Sequence, residues 1–399
     1  MLKKGTLALT AVLATLQAVG PISTDTYLPS LPSIALQLDA PIPTVQLTLS
    51  AFLVGFAVAQ IVYGPFSDRY GRKPVLVIAL ALFAAATFAC VLATSIEVLI
   101  SARFLQALGA AGPVVLSRSI VRDLYEGRRA GTELSRMGTI MGIMPAIAPT
   151  FGGFLDAWFG WRSTFVAVLV LGGVIMALVL FALPETLRER TGEPLTIRTF
   201  FSGFGPVIAD PGYRVYVAIV CFTYAGIFSF VSASSFVFQN IYGVSPIVFG
   251  MIFGLCAASY VCGTLLGQRL LKRLGVGQAL GVGCSFLALG GLSMIGGLLV
   301  GLDVPAAIFI PAMIYMMGVG QTLPLAMAAA LMPFAKRAGA ASSLLGFIQM
   351  VFAALVGAAI GLLLGDSAWP LALFLAACGC AAAATFAVTR SIRATGAEW

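Results

Sequence analysis

The sequence contains no histidine and few charged side chains. Only 10% of its 399 residues are charged, whereas a soluble domain carries about 25%. This scarcity excludes a soluble globular protein, and a hydrophobic fraction of 60% excludes a disordered chain. The lack of histidine excludes Ser-His-Asp and Cys-His catalysis, histidine-ligated zinc and a histidine pH switch. Any proton exchange near neutral pH therefore needs a carboxylate, a cysteine or a lysine in an unusual environment.

Twelve apolar segments are long enough to cross a membrane as helices. Such a helix needs about 20 mostly apolar residues, and most connections between the segments are short, so neighbouring spans should be antiparallel. The sequence therefore predicts an all-α integral membrane protein with twelve transmembrane helices. The predicted spans cover residues 7–28, 44–66, 74–94, 96–121, 132–157, 161–183, 213–239, 246–270, 276–301, 304–332, 338–364 and 368–389.

The positions of the basic residues predict the orientation of these spans. With the N-terminus inside, all of the 23 lysines and arginines except Arg103, Arg118 and Arg162 fall on the cytoplasmic side. Because cytoplasmic loops are enriched in basic residues, we expect both termini to be cytoplasmic. The net charge of +8 is therefore explained by the basic residues of the cytoplasmic connections. No nucleic acid partner is expected. The outer connections carry acids instead: Asp39, Glu97, Asp156, Asp303 and Asp366.

A charged connection divides the spans into six and six. The predicted organisation is a six-helix bundle over residues 1–184, a cytoplasmic linker over 185–212 and a second six-helix bundle over 213–399. A short repeat relates the two halves, since the run RRAG at 128–131 precedes the fifth span and KRAG at 336–339 precedes the eleventh. Parallel halves of this kind enclose a central substrate site in many transporters.

The seven cysteines form no metal-binding pattern. All lie inside predicted spans, their number is odd, and no C-x-x-C motif is present. We interpret them as small apolar packing residues, with a disulfide or metal site as the less favoured alternative. We accordingly expect no metal ion and no cofactor. The cysteines are Cys90, Cys221, Cys256, Cys262, Cys284, Cys378 and Cys380.

Asp25 is interpreted as the only acid inside a span. A charge at bilayer depth costs about 2.5–3.5 kcal/mol on insertion scales, so it normally faces the bundle interior and finds a partner. At a rise of about 1.5 Å per residue, Asp25 and Arg103 both fall in the outer third of the membrane. Arg103 is therefore expected to pair with Asp25 or to face it across a water-filled cavity. The alternative is structural: Asp25 ends a helix before Pro29, and Arg103 binds carbonyl groups.

Glycines and prolines recur in the fifth span at helical spacing. Gly142, Pro145, Pro149, Gly152 and Gly153 predict close helix packing and a kink.

The predicted 2–3 loop mixes glycine with charge. Asp68 could accept hydrogen bonds from a helix N-terminus, and Arg69 and Arg72 could clamp carboxylates. The alternative is a simple topology anchor. The residues of this pattern are Gly64, Asp68, Arg69, Gly71, Arg72 and Lys73.

The 2–3 loop resembles, in register, the signature of the major facilitator superfamily. The run RxxQxxG from Arg103 looks like the fourth-span motif of that family. The run APTFGG at 148–153 is similar to its antiporter-type fifth-span motif, with Ala148 where glycine is common. DTYLP at 25–29 and FSFVSA at 228–233 resemble the Bcr/CflA drug-resistance group, which includes the bicyclomycin-resistance proteins.

This resemblance implies a two-bundle transporter that exchanges a drug for protons across a bacterial inner membrane. Asp25 would bind the proton, and Arg103 would modulate the proton binding of Asp25. The 2–3 loop would act as a conformational gate. Some related exporters carry a second acid two turns before the Asp25 position, where this chain has Gln17. Strong selection for cationic drugs is therefore not implied. The expected partners are a small molecule, protons and the lipid bilayer, and the expected state is a monomer.

Aromatic and amide side chains on several spans are candidates for the substrate cavity. Such residues suit apolar, variable ligands because they offer contact area without a strict donor pattern. The leading alternative is a metabolite transporter on the same fold, for a nucleoside, sugar or amino-acid derivative; a channel and a membrane-embedded enzyme are weaker alternatives. The candidate residues are Tyr27, Gln106, Met144, Tyr224, Phe228, Tyr260, Tyr315 and Gln349.

Overall fold

All regular elements in the described part of the chain are helical, in agreement with the predicted fold class. The computed structural model describes residues 6–125, 127–187, 204–365 and 367–390, so Asp366 and residues 188–203 of the predicted linker lie outside it. The first helices are α1 (Leu7–Asp25), α2 (Leu31–Gln37), α3 (Ile42–Tyr70), α4 (Arg72–Leu92), α5 (Ile96–Leu124), α6 (Gly127–Phe159) and α7 (Arg162–Ala182). They are followed by α8 (Phe204–Ala209), α9 (Pro211–Phe236), α10 (Pro246–Leu299), α11 (Ala306–Leu331), α12 (Ala338–Leu363) and α13 (Trp369–Val388).

The described residues group into two compact units. Unit 1 contains the residues up to 187 together with Pro246–Gly250, the first turn of α10. Unit 2 contains residues 204–245 and those from Met251 onward. In unit 1, α5 packs against α1, α3 and α4, and α6 lies along α1. In unit 2, α9 packs against α11, α12 and α13. The predicted boundaries at residues 184 and 213 stay predictions.

Local sequence signals explain where several helices begin and end. The side-chain oxygens of Thr6, Ser95 and Asp210 each accept a hydrogen bond from a backbone N–H three residues later, which caps α1, α5 and α9. Gly71 and Gly275 have φ values of 102° and 77°, in the left-handed region that favours glycine. Each of these glycines therefore interrupts a long helical stretch.

Nine of the described helices are long and apolar enough to cross a membrane. They are α3, α4, α5, α7, α9, α10, α11, α12 and α13. α10 has 54 residues, about 80 Å at 1.5 Å per residue, whereas the hydrocarbon core of a bilayer is about 30 Å thick. The helix is broken at Gly275, so this stretch is long enough for two passes. The other long helices, α1 and α6, have 19 and 33 residues.

Both units bury a largely apolar core, and they also expose many large apolar side chains, which a soluble protein rarely does. Phe181, Leu362 and Val388 are each more than three-quarters exposed. Such an apolar surface is stable only against lipid or another protein. On α9, in contrast, four serines have no exposed surface: Ser229, Ser232, Ser234 and Ser235.

Candidate functional site

Arg103, on α5, is a completely buried cation. Its Nη1 group donates a hydrogen bond to the carbonyl oxygen of Ser23 on α1 (2.9 Å) and another to Oε1 of Gln106. The amide nitrogen of Gln106 donates to the hydroxyl of Thr87 (2.9 Å), which donates to the carbonyl oxygen of Phe83 on α4 (2.6 Å). One guanidinium group therefore links three helices of unit 1.

Aromatic rings surround the same guanidinium group. Its central carbon lies 4.2 Å from the ring centroid of Tyr27, 4.4 Å from that of Phe52 and 5.8 Å from that of Phe165. The face of an aromatic ring attracts a desolvated cation with about 2 kcal/mol. The Nε and Nη2 groups of Arg103 find no hydrogen-bond acceptor among the described residues. Much of the stabilisation of this cation therefore comes from ring faces rather than from a carboxylate.

Asp25 is the last residue of α1 and is only 8% exposed. One of its carboxylate oxygens accepts a hydrogen bond from the Thr24 hydroxyl (3.0 Å). In the part of the chain that the structure describes, no ion pair joins Asp25 to Arg103. The expected direct pair is therefore not formed. The last carbonyl groups of a helix lack intrahelical partners and carry its negative dipole, which explains why Arg103 binds the Ser23 carbonyl instead.

The residues of the predicted 2–3 loop are almost entirely helical, so the helices extend beyond the predicted span ends at residues 66 and 74. α3 continues through Gly64 and Asp68 to Tyr70, and α4 begins at Arg72. Only Gly71 separates the two helices. A single residue in the left-handed conformation is enough to end one helix and start the next, which is why the connection is so short.

Arg72 and Glu185 hold the α3–α4 connection, which we call the Gly71 junction. The Arg72 guanidinium forms ion pairs with Asp68 and Asp123 and donates a hydrogen bond to the hydroxyl of Ser67. The carboxylate of Glu185, just after α7, accepts hydrogen bonds from the backbone N–H groups of Arg72 (3.0 Å) and the next residue (3.1 Å). Glu185 thus caps α4, the role that the sequence analysis gave to Asp68.

The remaining residues of the predicted gate have weaker contacts. Arg69 is exposed and lies over the ring of Tyr70, with 5.6 Å between its guanidinium carbon and the ring centroid. Lys73 donates a hydrogen bond from Nζ to the carbonyl oxygen of Leu180 (2.9 Å). Gly64 has open space where a Cβ would lie. Both arginines were expected to bind carboxylates. Arg72 does so, whereas Arg69 lies over an aromatic ring.

The glycines and prolines of the fifth span lie on α6, which runs as one helix through Gly142, Pro145 and Pro149. Gly152 packs against the backbone of Thr26, so that a Cβ there would overlap the Thr26 carbonyl oxygen. Gly153 packs in the same way against Pro246, which also belongs to unit 1. In its described part, the helix therefore makes close backbone approaches where the pattern has consecutive glycines.

Two buried acids on α6 were missed by the sequence analysis, so its statement that Asp25 is the only acid inside a span was wrong. Glu133 and Asp156 are each 8% exposed. Glu133 accepts a hydrogen bond from the hydroxyl of Thr10 (2.7 Å), and Asp156 accepts one from the hydroxyl of Ser33 (2.9 Å). Both acids lie within the predicted span 132–157, so the span boundaries themselves could have identified them as acids inside a span.

The candidate cavity residues are all buried or half-buried. Tyr27, Gln106 and Tyr315 have at most 1% exposed surface, so here they pack between helices instead of lining an open space. Phe228 and Gln349 are also buried, and the Oε1 atom of Gln349 has no hydrogen-bond partner in the described ranges. The half-buried candidates are Met144, Tyr224 and Tyr260. The sequence did not single out Phe52, Phe165 and Thr87, whose roles follow from tertiary contacts.

Comparison with known proteins identifies the family. A sequence profile described as the Major Facilitator Superfamily matches residues 13–357. The bicyclomycin resistance protein homolog of Haemophilus influenzae is 29% identical over 378 residues, which cover 94% of each chain. Multidrug resistance protein D of Escherichia coli is 31% identical over 343 residues, 85% of each chain.

A solved structure supports the same fold. The crystal structure of a D-xylose-proton symporter matches with a TM-score of 0.78 and 16% identity, over 99% of this chain and 100% of that chain. At this identity the match shows the fold alone. Taken with the profile and the relatives, it establishes that the chain belongs to the major facilitator superfamily, in its drug-resistance group, and is a multi-pass inner-membrane transporter rather than an enzyme.

Proposed function

We propose that the protein exports drugs or other small amphipathic molecules in exchange for protons, as an antiporter of the bicyclomycin-resistance type. The observation that carries this proposal is the Asp25 carboxylate, which is buried at the end of α1 beside the hydroxyl of Thr24. A carboxylate in such a place can bind and release a proton as its surroundings change. The relatives named for bicyclomycin and multidrug resistance support the substrate class.

The proposed membrane arrangement has twelve spans with both termini in the cytoplasm. Nine described helices can cross a bilayer, the break at Gly275 divides one of them in two, and α1 and α6 complete the set. The excess of lysine and arginine on one side of these spans supports the orientation. The protein is proposed to act as a monomer.

In the proposed cycle, a proton on Asp25 and a drug in the cavity favour different conformations. A proton that moves down a membrane potential supplies about 2.3 kcal/mol per 100 mV, enough to concentrate a drug outward by some tens of fold. The drug would contact the half-buried aromatic and methionine side chains identified above.

Arg103 is proposed to transmit the charge state of Asp25 to the rest of unit 1. It holds the Ser23 carbonyl, two residues before Asp25 on the same helix. It is also connected through Gln106 and Thr87 to α4, whose first turn belongs to the Gly71 junction. A shift of the end of α1 would therefore reach the proposed gate through a continuous set of hydrogen bonds and one helix.

Efflux from inverted membrane vesicles with an imposed pH gradient tests this function. Wild-type protein should accumulate drug only when the gradient is present. Asp25→Asn should abolish this accumulation, because an amide cannot exchange a proton, and Arg103→Ala should reduce it strongly. A panel of drugs and metabolites in the same vesicles would define the substrate class.

Asp39→Asn is the matched control, because Asp39 is exposed and has a positive φ of 47° that asparagine tolerates. It should transport as well as the wild type. Gradient-driven transport that survives intact in Asp25→Asn would rule out the proposed coupling residue.

A further inference from the structure

Two carboxylate–hydroxyl contacts fasten α6 to the N-terminal segment, one near each end of the helix. Thr10 on α1 donates to Glu133 (2.7 Å), and Ser33 on α2 donates to Asp156 (2.9 Å). At about 1.5 Å per residue, the two acids lie about 35 Å apart along α6, slightly more than the thickness of a bilayer core. We call these contacts the Glu133 clasp and the Asp156 clasp.

The two clasps differ in how well the carboxylate is satisfied. The second oxygen of Glu133 accepts a hydrogen bond from the guanidinium group of Arg136 (2.8 Å), so that this acid has both a hydroxyl and a cation as partners. In the Asp156 clasp, Oδ1 is buried and has no partner among the described residues. The completely buried hydroxyl of Ser30 lies beside the same carboxyl group, although no hydrogen bond of normal geometry joins the two.

The cations around the Asp156 clasp bind elsewhere. Arg162, at the start of α7, donates to the carbonyl oxygen of Ala93 (2.8 Å) and stacks on Trp161. Arg103 binds the Ser23 carbonyl. Asp25, which is also buried at the end of α1, is an acid and cannot compensate a negative charge on Asp156. Within the described ranges, no lysine or arginine pairs with Asp156.

An ionised carboxylate in these surroundings is unfavourable, because desolvation of a charge costs several kcal/mol unless a partner compensates it. One proton removes this cost. It neutralises the group and turns Oδ1 into a hydroxyl donor, for which the Ser30 oxygen is an available acceptor. The protonated carboxyl group and the Ser30 hydroxyl could then share a hydrogen bond in either direction, because each carries a donor and an acceptor.

We propose that Asp156 is a second proton-binding carboxyl group of unit 1, protonated while the Asp156 clasp is closed and deprotonated when α6 parts from residues 28–37. The proton then passes from the Asp156 carboxyl group to water at the end of the helix. This inference rests on the proposed proton-coupled function and adds a second proton-binding group to it. Gly152, one turn before Asp156, packs against Thr26, the residue that follows Asp25. The Asp156 clasp therefore lies close to Asp25 along both segments.

Infrared spectroscopy of the full-length protein in lipid nanodiscs tests the proposal directly, because protonated and ionised carboxyl groups absorb at different frequencies. All samples carry Asp25→Asn, which removes the signal of that acid. At neutral pH we expect a carboxylic-acid band equivalent to one group per chain. Addition of Asp156→Asn should remove this band, whereas Glu133→Gln, the matched change in the other clasp, should leave it.

A band that persists in Asp156→Asn, or that disappears in Glu133→Gln, would overturn the assignment. A pH titration of the Asp25→Asn protein gives a second measurement without any change at Asp156. The band should survive at a pH where the exposed Asp39 is already ionised, and a band that vanishes together with the exposed acids would refute the proposal. None of these outcomes depends on transport, so failure of the Asp25 mechanism would be seen separately in the vesicle assay.

Discussion

Arg103 is a buried cation whose observed contacts are with neutral groups. A carbonyl oxygen, an amide oxygen and three aromatic rings take the place that a carboxylate would usually fill. Each contact depends on the planar shape of the guanidinium group, which can stack on a ring and donate in its own plane at the same time. The function of this residue should therefore depend on its geometry as well as on its charge.

Arg103→Lys should reduce the initial rate of drug efflux about tenfold or more, although the positive charge is kept. A lysine ammonium cannot stack between rings while it donates to the Ser23 carbonyl and to Gln106, and loss of one charge-assisted hydrogen bond costs about 1.5–3 kcal/mol. The measurement is gradient-driven efflux in inverted vesicles, normalised to the amount of protein. Arg214→Lys is the control, because Arg214 is exposed. Equal rates for Arg103→Lys and the wild type would mean that charge alone suffices.

At the scale of elements, the contact of α6 with the N-terminal segment combines a close backbone approach at Thr26 with polar contacts to α1 and α2. Gly152 allows the backbone of α6 to touch that of Thr26. Small residues permit such approach between membrane helices, where van der Waals packing and hydrogen bonds replace the hydrophobic effect as the driving force. Any side chain at this position would push the two helices apart next to Asp25.

Gly152→Ala should destabilise the protein by about 1–3 kcal/mol, the usual cost of overpacking a tight interface. Gly173→Ala is a matched control on α7, because a Cβ at Gly173 meets no atom within 4 Å. This second change should be neutral or stabilising by about 1 kcal/mol, the difference in helix propensity between the two residues. Thermal unfolding of the purified variants in detergent measures both effects, and equal stabilities would contradict the close contact.

The α3–α4 connection shows the limit of pattern reading at this scale. The predicted span ends left a loop between residues 66 and 74, but only Gly71 leaves the helical conformation. The missing information was the position of Glu185, more than 100 residues later, which accepts the N–H groups at the start of α4. Helix start signals in sequence are local, so a cap supplied by a distant residue gives no signal.

At the scale of the whole molecule, the lysines and arginines are concentrated in the connections that are predicted to be cytoplasmic. The prediction that both termini are cytoplasmic follows from the basic residues, because each lysine or arginine strongly disfavours transfer across the bilayer. The predicted outer connections carry few basic residues and contain acids such as Asp303.

Reporter fusions test this topology. A fluorescent protein fused after Trp399 should fluoresce, and alkaline phosphatase at the same place should be inactive, because the C-terminus is predicted to be cytoplasmic. Phosphatase inserted after Asp303 should be active, since that connection is predicted to face outward. Active phosphatase at the C-terminus would require an odd number of spans or the opposite orientation.

The sequence by itself determined the class of protein, the approximate helix boundaries and the candidate proton site. These features depend on properties of single segments: length, hydropathy and the cost of a charge in lipid. The predicted spans agree with the described helices to within a few residues at most boundaries. The absence of histidine directed attention to carboxylates, and Asp25 is indeed buried.

Only the tertiary structure decided which groups meet. The depth in the membrane that was calculated from the sequence placed Arg103 level with Asp25. In the structure, Arg103 instead contacts the Ser23 carbonyl and a set of aromatic rings. Depth is one coordinate along a helix axis, whereas a contact also depends on rotation about that axis and on the neighbouring helix. For the same reason Asp156, assigned from sequence to an outer connection, proved to be a buried acid fastened to Ser33.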